Sequence, residues 1–125
     1  MIKKVIKYID YNGVEREETF YFNISRLEAA EMDTSSRGGY DQVIQKIIES
    51  QDKGEMLSIF KEFVLSAYGE KTADGTSFIK NAELRNKFAQ SEAFVELFLE
   101  LGNDSKLAAA FVAGVLPKAP IQKTE

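Results

Sequence analysis

The stretch DYNGVEREETFYF, residues 10–22, decides how the fold begins. It contains the dipeptide Asn12-Gly13, which lies between two segments, 2–11 and 14–23, that are rich in β-branched and aromatic residues. Asn-Gly readily supplies the positive φ angles of a two-residue type I′ turn. The pattern therefore predicts an N-terminal β-hairpin.

A two-residue loop would also fix which residues face each other across the hairpin. Ile9 would lie opposite Arg16, and Val5 would lie opposite Phe20. These pairs belong to a mostly apolar face, which we expect to point towards the protein core.

The opposite face of this hairpin would carry Ile6, Tyr8 and Tyr21 among charged residues, and we expect it to be partly solvated. In the same register Asp10 would face Glu15. Because like charges opposite each other are unfavourable, a longer, bulged turn remains an open alternative.

Helix signals follow the hairpin. Ser25 opens the capping box SRLE, and apolar residues recur at three- to four-residue spacing in 40–50 and 55–68. Asn81 is placed to cap a further helix, whereas the polar stretch 69–77 predicts an exposed loop. We expect an α+β fold in which the N-terminal β-hairpin packs on a bundle of about five α-helices.

The chain is long enough for one hydrophobic core, at 125 residues. We expect a single globular domain over residues 1–116, with the hairpin in 1–23 and helices in 25–116. Both prolines fall in the remaining segment, which holds few residues that could be buried. Residues 117–125 are therefore predicted to form a flexible C-terminal tail.

The residue types needed for common catalytic chemistry are missing. The chain has no His and no Cys, so the usual general base, nucleophile and metal ligands are absent. No spacing places two acids across a cleft. We therefore expect no enzymatic activity, no catalytic residue, no cofactor and no metal site.

Two short motifs could bind an ion, but each also has an ordinary structural interpretation. SSRGGYD, residues 35–41, has paired glycines before a helix but lacks the Gly-Lys-Ser/Thr ending of a phosphate-binding loop, so an ordinary loop is favoured. Glu15, Glu17 and Glu18 could together hold a cation, but alternation along a strand prevents all three from pointing to the same side. Solvated surface charge is the preferred interpretation.

Charge and hydropathy restrict the partners. The net charge is −4, and the 16 basic residues are scattered, so the chain lacks the basic patch with which proteins bind nucleic acid. No apolar run reaches the roughly 18 residues that a membrane-spanning helix needs. We expect a cytoplasmic protein that binds other proteins and neither nucleic acid nor membranes.

The segment 93–116 is unusually apolar, because two successive predicted helices have hardly any polar face. Most of these residues are expected in the core. Part of the excess would suit an interaction surface, and the four candidate partner-binding residues are Phe94, Phe98, Phe111 and Val115.

Four stretches carry a resemblance to a known family: DYNGVEREETFYFNISRLEAAEM, IIESQDKGEMLSIFKEFVLSAYGEKTADGTSFIKN, FAQSEAFVELFLEL and FVAGVLPK. The chain resembles, over residues 3–118, the tail assembly chaperones of long-tailed bacteriophages and of prophages in Gram-positive bacteria.

The resemblance implies a non-enzymatic assembly factor in the cytoplasm of the bacterial host cell. Such a factor binds and solubilises the tape measure protein, helps to recruit tail tube subunits, and is left out of the mature virion. It implies no residue-level binding motif. Whether the chain forms a homo-oligomer is left open.

Other classes of function remain as alternatives. The first is a structural phage virion component, such as a head-tail connector or minor tail protein, that assembles through the hairpin edge and the apolar helices. The second is an acidic mimic of nucleic acid, for which a net charge of −4 is low. An enzyme that uses only carboxylates is the third.

Overall fold

The computed structural model describes residues 1–33 and 39–117. Its elements are β1 (Ile2–Ile9), β2 (Glu15–Phe22), α1 (Arg26–Asp33), α2 (Tyr40–Glu49), α3 (Lys53–Ala67), β3 (Tyr68–Lys71), β4 (Phe78–Ile79), α4 (Ala82–Ala89), α5 (Glu92–Leu101) and α6 (Ser105–Val115). The α+β class with an N-terminal hairpin is confirmed, although the described ranges hold six helices where about five were expected. Residues 118–125 of the expected tail lie outside the described residues. The domain boundary at residue 116 stays a prediction.

The hairpin turn has three residues in its loop. The Asp10 amide donates to the Val14 carbonyl at 2.9 Å, and the Gly13 amide donates back to the Asp10 carbonyl at 2.9 Å. Gly13 has φ +80°, the left-handed conformation that glycine adopts most easily. The expected two-residue type I′ turn is therefore wrong, and the bulged alternative describes the turn correctly.

The longer loop shifts the register by one residue. Val5 pairs with Thr19 and Ile9 pairs with Glu15, so the expected pairings of Val5 with Phe20 and of Ile9 with Arg16 are wrong. Since side chains alternate along a strand, a one-residue shift exchanges the faces of one strand relative to the other.

The face assignment of β1 is corrected as a result. Ile6 is buried and Tyr8 is half-buried, although both were expected on the partly solvated face. Val5 and Ile9 point outward and are 49% and 59% exposed. Tyr21 lies on the outer face as expected, where the Lys71 ammonium lies 5.8 Å from its ring centre.

The sheet contains two more strands than the sequence predicted. β2 pairs with β3 through Tyr21 and Gly69, β3 pairs with β4, and all four strands lie in the order β1-β2-β3-β4. The exposed loop expected over 69–77 is wrong for residues 69–71, which belong to β3, and right for the turn that follows. In this turn the Asp74 carboxylate accepts hydrogen bonds from the Thr76 amide and the Thr72 hydroxyl. The strands were missed because each is only a few residues long.

Aromatic side chains join the inner face of the sheet to the helices. The Phe22 ring lies 5.7 Å from that of Phe88 on α4 and 5.3 Å from that of Phe111 on α6, between ring centres. Phe60 of α3 contacts Phe111 at 5.9 Å. Phe22 and Phe60 are fully buried, so this cluster forms the centre of the core.

The expected capping box ties α1 to a distant part of the chain. The Ser25 hydroxyl accepts from the Glu28 amide, and the Glu28 carboxylate accepts from the Ser25 amide. Lys80 also donates to Glu28 at 2.8 Å. Burial raises the pKa of the Glu28 carboxyl, but the bonds from Lys80 and Ser25 outweigh it, so the pKa lies below its usual value.

Gly69→Ala should destabilise the protein. A Cβ at this position would lie 2.6 Å from the Ile79 carbonyl oxygen, a backbone atom of the paired strand that cannot move away cheaply. We expect a loss of about 1–3 kcal/mol in the free energy of unfolding by urea. Gly54→Ala is the control, because its Cβ would meet only the Asp52 carboxylate at 3.3 Å in the first turn of α3, and it should change stability by less than about 1 kcal/mol.

Amide hydrogen exchange should alternate along β1. In the three-residue-loop register the amides of Ile6 and Tyr8 donate to β2 and should exchange slowly, whereas those of Val5 and Lys7 should exchange quickly. A two-residue loop would reverse this pattern. Residue-resolved exchange measured by NMR therefore tests the register directly.

Candidate functional site

A shallow groove runs between β1 and α5 on the protein surface. It consists of two adjoining depressions of about 610 and 520 Å³ that share Lys7 and Glu96. We call it the β1–α5 groove and define it by six residues: Val5, Lys7, Ile9, Glu92, Glu96 and Leu99. Apolar and acidic side chains thus occur side by side along it.

Helix α5 is held beside β1 by local sequence and by cross-contacts. The Ser91 hydroxyl caps its N-terminus by accepting from the Phe94 amide at 3.2 Å. Its inner side buries Phe94 and Leu97, and an ion pair joins Lys4 of β1 to Glu100. The other side of α5 is therefore left facing the groove and the solvent.

Leu99 is the most exposed apolar residue of α5, at 61%. With 3.6 residues per turn it lies only about 20° from Glu92 around the helix axis, so it shares the narrow acidic line formed by Glu92 and Glu96. Val95, 41% exposed, lies one turn before it. An apolar ridge therefore borders the acids.

Odd-numbered residues of β1 turn their backbone N–H and C=O groups away from β2. The hydrogen bond from the Asp10 amide to the Val14 carbonyl fixes which residues of β1 bond to β2, since such pairs recur at every second residue of an antiparallel ladder. Val5, Lys7 and Ile9 therefore point theirs towards the outer edge. Within the described residues no other strand pairs with this edge.

Acids outnumber bases in the larger depression, which is lined by Lys7, Arg16, Glu15, Glu17, Glu92 and Glu96 together with Tyr8 and Ile9. The Lys7 ammonium nitrogen lies 3.8 Å from a carboxylate oxygen of Glu17, and Arg16 forms ion pairs with Asp10 and Glu18 of the hairpin. In the part of the chain that the structure describes, no lysine or arginine forms an ion pair with Glu96. The groove therefore favours a partner that carries positive charge.

Hydrogen bonds and ion pairs connect the side chains that form the hairpin wall of the groove. The Tyr8 hydroxyl donates to the Glu18 carboxylate, and this bond is the main reason that the pKa of Tyr8 rises from 10.0 to about 12. Arg16 reaches both Glu18 and Asp10, and its bond to Asp10 lowers the pKa of that carboxyl. Tyr8, Arg16, Glu18 and Asp10 thus interact with one another within the hairpin.

The four residues expected to bind partners lie mostly inside the core. Phe94, Phe111 and Val115 are buried, whereas Phe98 is half-buried and contacts Phe94 at 5.3 Å between ring centres. In this arrangement the three buried side chains contribute mainly to the core. Their role in binding stays a prediction.

Sequence analysis missed the groove residues for two reasons. Val5 and Ile9 were placed on the wrong face by the register error. Leu99 could have been found from the acidic line, since Glu92 and Glu96 mark the solvent side of α5 and Leu99 lies on that side.

A second cleft lies between α2 and α3, where Tyr40, Val43, Ile59 and Phe63 line about 620 Å³.

Within residues 1–33 and 39–117, no three acidic side chains are grouped so as to hold a metal ion. The helices of the same residues include none with the length and apolar content to cross a membrane.

Comparison with known proteins identifies a family that the chain matches. The family model described as phage tail assembly chaperone matches residues 1–125. No curated protein and no solved structure gives a significant match to the chain.

Tyr8→Phe should lower stability in a pH-dependent way. Because the folded state holds the phenol proton more tightly than the unfolded state does, the contribution of Tyr8 is complete below pH 10 and is lost as the pH rises to about 12. We expect the variant to melt about 1–5 °C below wild type at pH 8 and the difference in Tm to shrink above pH 10. A difference that stays constant from pH 8 to pH 12 would contradict the assignment.

Proposed function

We propose that this chain, which belongs to the phage tail assembly chaperone family, binds the tape measure protein, keeps it soluble and helps to recruit tail tube subunits during tail morphogenesis. The observation that carries the proposal is the β1–α5 groove. It combines exposed apolar side chains with acids, of which Glu96 forms no ion pair with the described residues. Such a surface can hold another polypeptide without any rearrangement of the fold.

The chemistry of the groove suits a chaperone. A long apolar chain aggregates through its exposed apolar side chains, so a chaperone must cover some of them and add soluble charge. Val5, Ile9 and Leu99 supply apolar contact area, and Glu92 and Glu96 supply charge. Each bound copy of this chain, with its net charge of −4, would also add negative charge to the complex.

The proposed role requires no catalysis, and it requires the chaperone to leave its partner before the virion is complete. The chaperone would act in the cytoplasm of the bacterial host cell, after infection or from a prophage, and would be absent from the mature virion. Binding would be reversible, since the groove is shallow and open to solvent.

A structural component of the virion is the second candidate. The open edge of β1 favours it, because strand edges allow one copy to add to another or to a neighbouring tail protein. The two functions differ in where the protein ends up.

Co-expression with the tape measure protein of the same phage tests the first function. We expect the tape measure protein to be insoluble alone and to move largely into the soluble fraction, bound to this chain, when both are made. Mass spectrometry of purified virions should detect no copies of this chain. Stoichiometric copies in the virions would instead establish the structural role.

A further inference from the structure

We propose that the β1–α5 groove binds by strand addition: an extended segment of the partner pairs with the open edge of β1 as a fifth strand. The row of partner side chains facing α5 is apolar and basic. This inference rests on the proposed function, since the partner is taken to be the tape measure protein. It adds the binding mode and the chemistry of the bound segment.

The backbone of β1 is prepared for such pairing. Lys3, Val5, Lys7 and Ile9 present their N–H and C=O groups to the edge at every second residue, along a strand of eight residues. The side chains of Val5, Lys7 and Ile9 are exposed, and no strand of the described chain pairs with this row. An added segment of about seven residues would span it over roughly 23 Å.

Helix α5 provides the second wall that an added strand would meet. A new strand lies about 4.8 Å outside β1, on the side where the groove opens between Lys7 and Glu96. Its inward-facing side chains would lie over Leu99 and Glu96. A groove bounded by a strand edge and a helix is a known geometry for binding extended peptides, with main-chain bonds giving affinity and alternate side chains giving specificity.

Charge selects the chemistry of the bound segment. Glu96 forms no ion pair with the described residues, and it lies next to the exposed Leu99 on the same helix face. A basic side chain over Glu96 and an apolar one over Leu99 would satisfy both. The proposed segment therefore alternates, with lysine or arginine and apolar residues in the row that faces α5.

The lysines of β1 disfavour the pairing of a second copy of the chain with this edge. Residues 2–9 contain three lysines and no acid. Two antiparallel β1 strands paired about Val5 would place Lys3 of each copy opposite Lys7 of the other, which is unfavourable. Lysines on an edge strand commonly prevent self-pairing in this way.

Val5→Pro tests the backbone pairing. The Val5 amide points to the open edge, so proline there removes no bond between β1 and β2 but blocks a strand added outside. In co-expression with the tape measure protein of the same phage, we expect about a tenfold loss of tape measure protein from the soluble fraction. Circular dichroism and thermal unfolding of the variant alone establish that it still folds.

Side-chain variants test the α5 wall and do not depend on how β1 tolerates proline. Leu99→Asp and Glu96→Lys should each reduce the soluble complex several-fold. Their matched controls are Leu27→Asp, at a 69% exposed leucine of α1, and Glu49→Lys, at an exposed acid of α2, and both should bind as wild type does.

Hydrogen exchange in the complex distinguishes strand addition from other ways of filling the groove. We expect the amides of Val5 and Lys7 to become protected when the tape measure protein binds. Fast exchange of both amides in a complex that Leu99→Asp still weakens would mean that the partner fills the groove without pairing with β1, and it would overturn the inference.

The remaining outcomes are equally decisive. If wild type and Val5→Pro solubilise the tape measure protein equally, strand addition is refuted while the proposed function stands. If wild type itself leaves the tape measure protein in the pellet, both fail. A wild-type dimer that Val5→Pro converts to a monomer would assign the edge to a second copy and also overturn the inference.

Discussion

The carboxylate of Asp10 fixes the hairpin on which the rest of the structure depends. It accepts hydrogen bonds from the amides of Asn12 and Val14 at 2.8 and 3.0 Å and pairs with Arg16. In a two-residue loop the same carboxylate would have faced Glu15. The three-residue loop replaces that repulsion with three favourable contacts and leaves Gly13 in the left-handed conformation.

The register set by this turn determines both the core and the groove. It directs Ile6 inward with Phe20 and Phe22, so that the inner face of the sheet reaches the aromatic cluster around Phe111. It equally leaves Val5 and Ile9 on the outside. The apolar residues of β1 are thus divided between the two faces, because Val5 and Ile6 are neighbours and cannot point the same way.

Sequence patterns predicted the long elements and failed where short-range contacts decided the outcome. The capping box at Ser25 and the cap at Asn81 mark real helix starts, since those hydrogen bonds are made within one turn of the chain. The strands β3 and β4 exist because Gly69 packs against the backbone of Ile79, a contact that no local pattern records. The prediction of the turn type failed because Asn-Gly suits both two-residue and three-residue loops. The hydrogen bonds of Asp10 decide between the two.

The four candidate partner-binding residues were chosen for hydrophobicity, and their role in binding stays a prediction. The most apolar positions of α5 and α6 are buried because a small domain needs them for its own core. The proposed β1–α5 groove instead uses exposed residues beside polar neighbours, as Leu99 is beside Glu96. The proposed role would favour this mixture, since a wholly apolar face would aggregate and a wholly charged one would bind too little. An open strand edge adds affinity through backbone groups and requires no further exposed apolar surface.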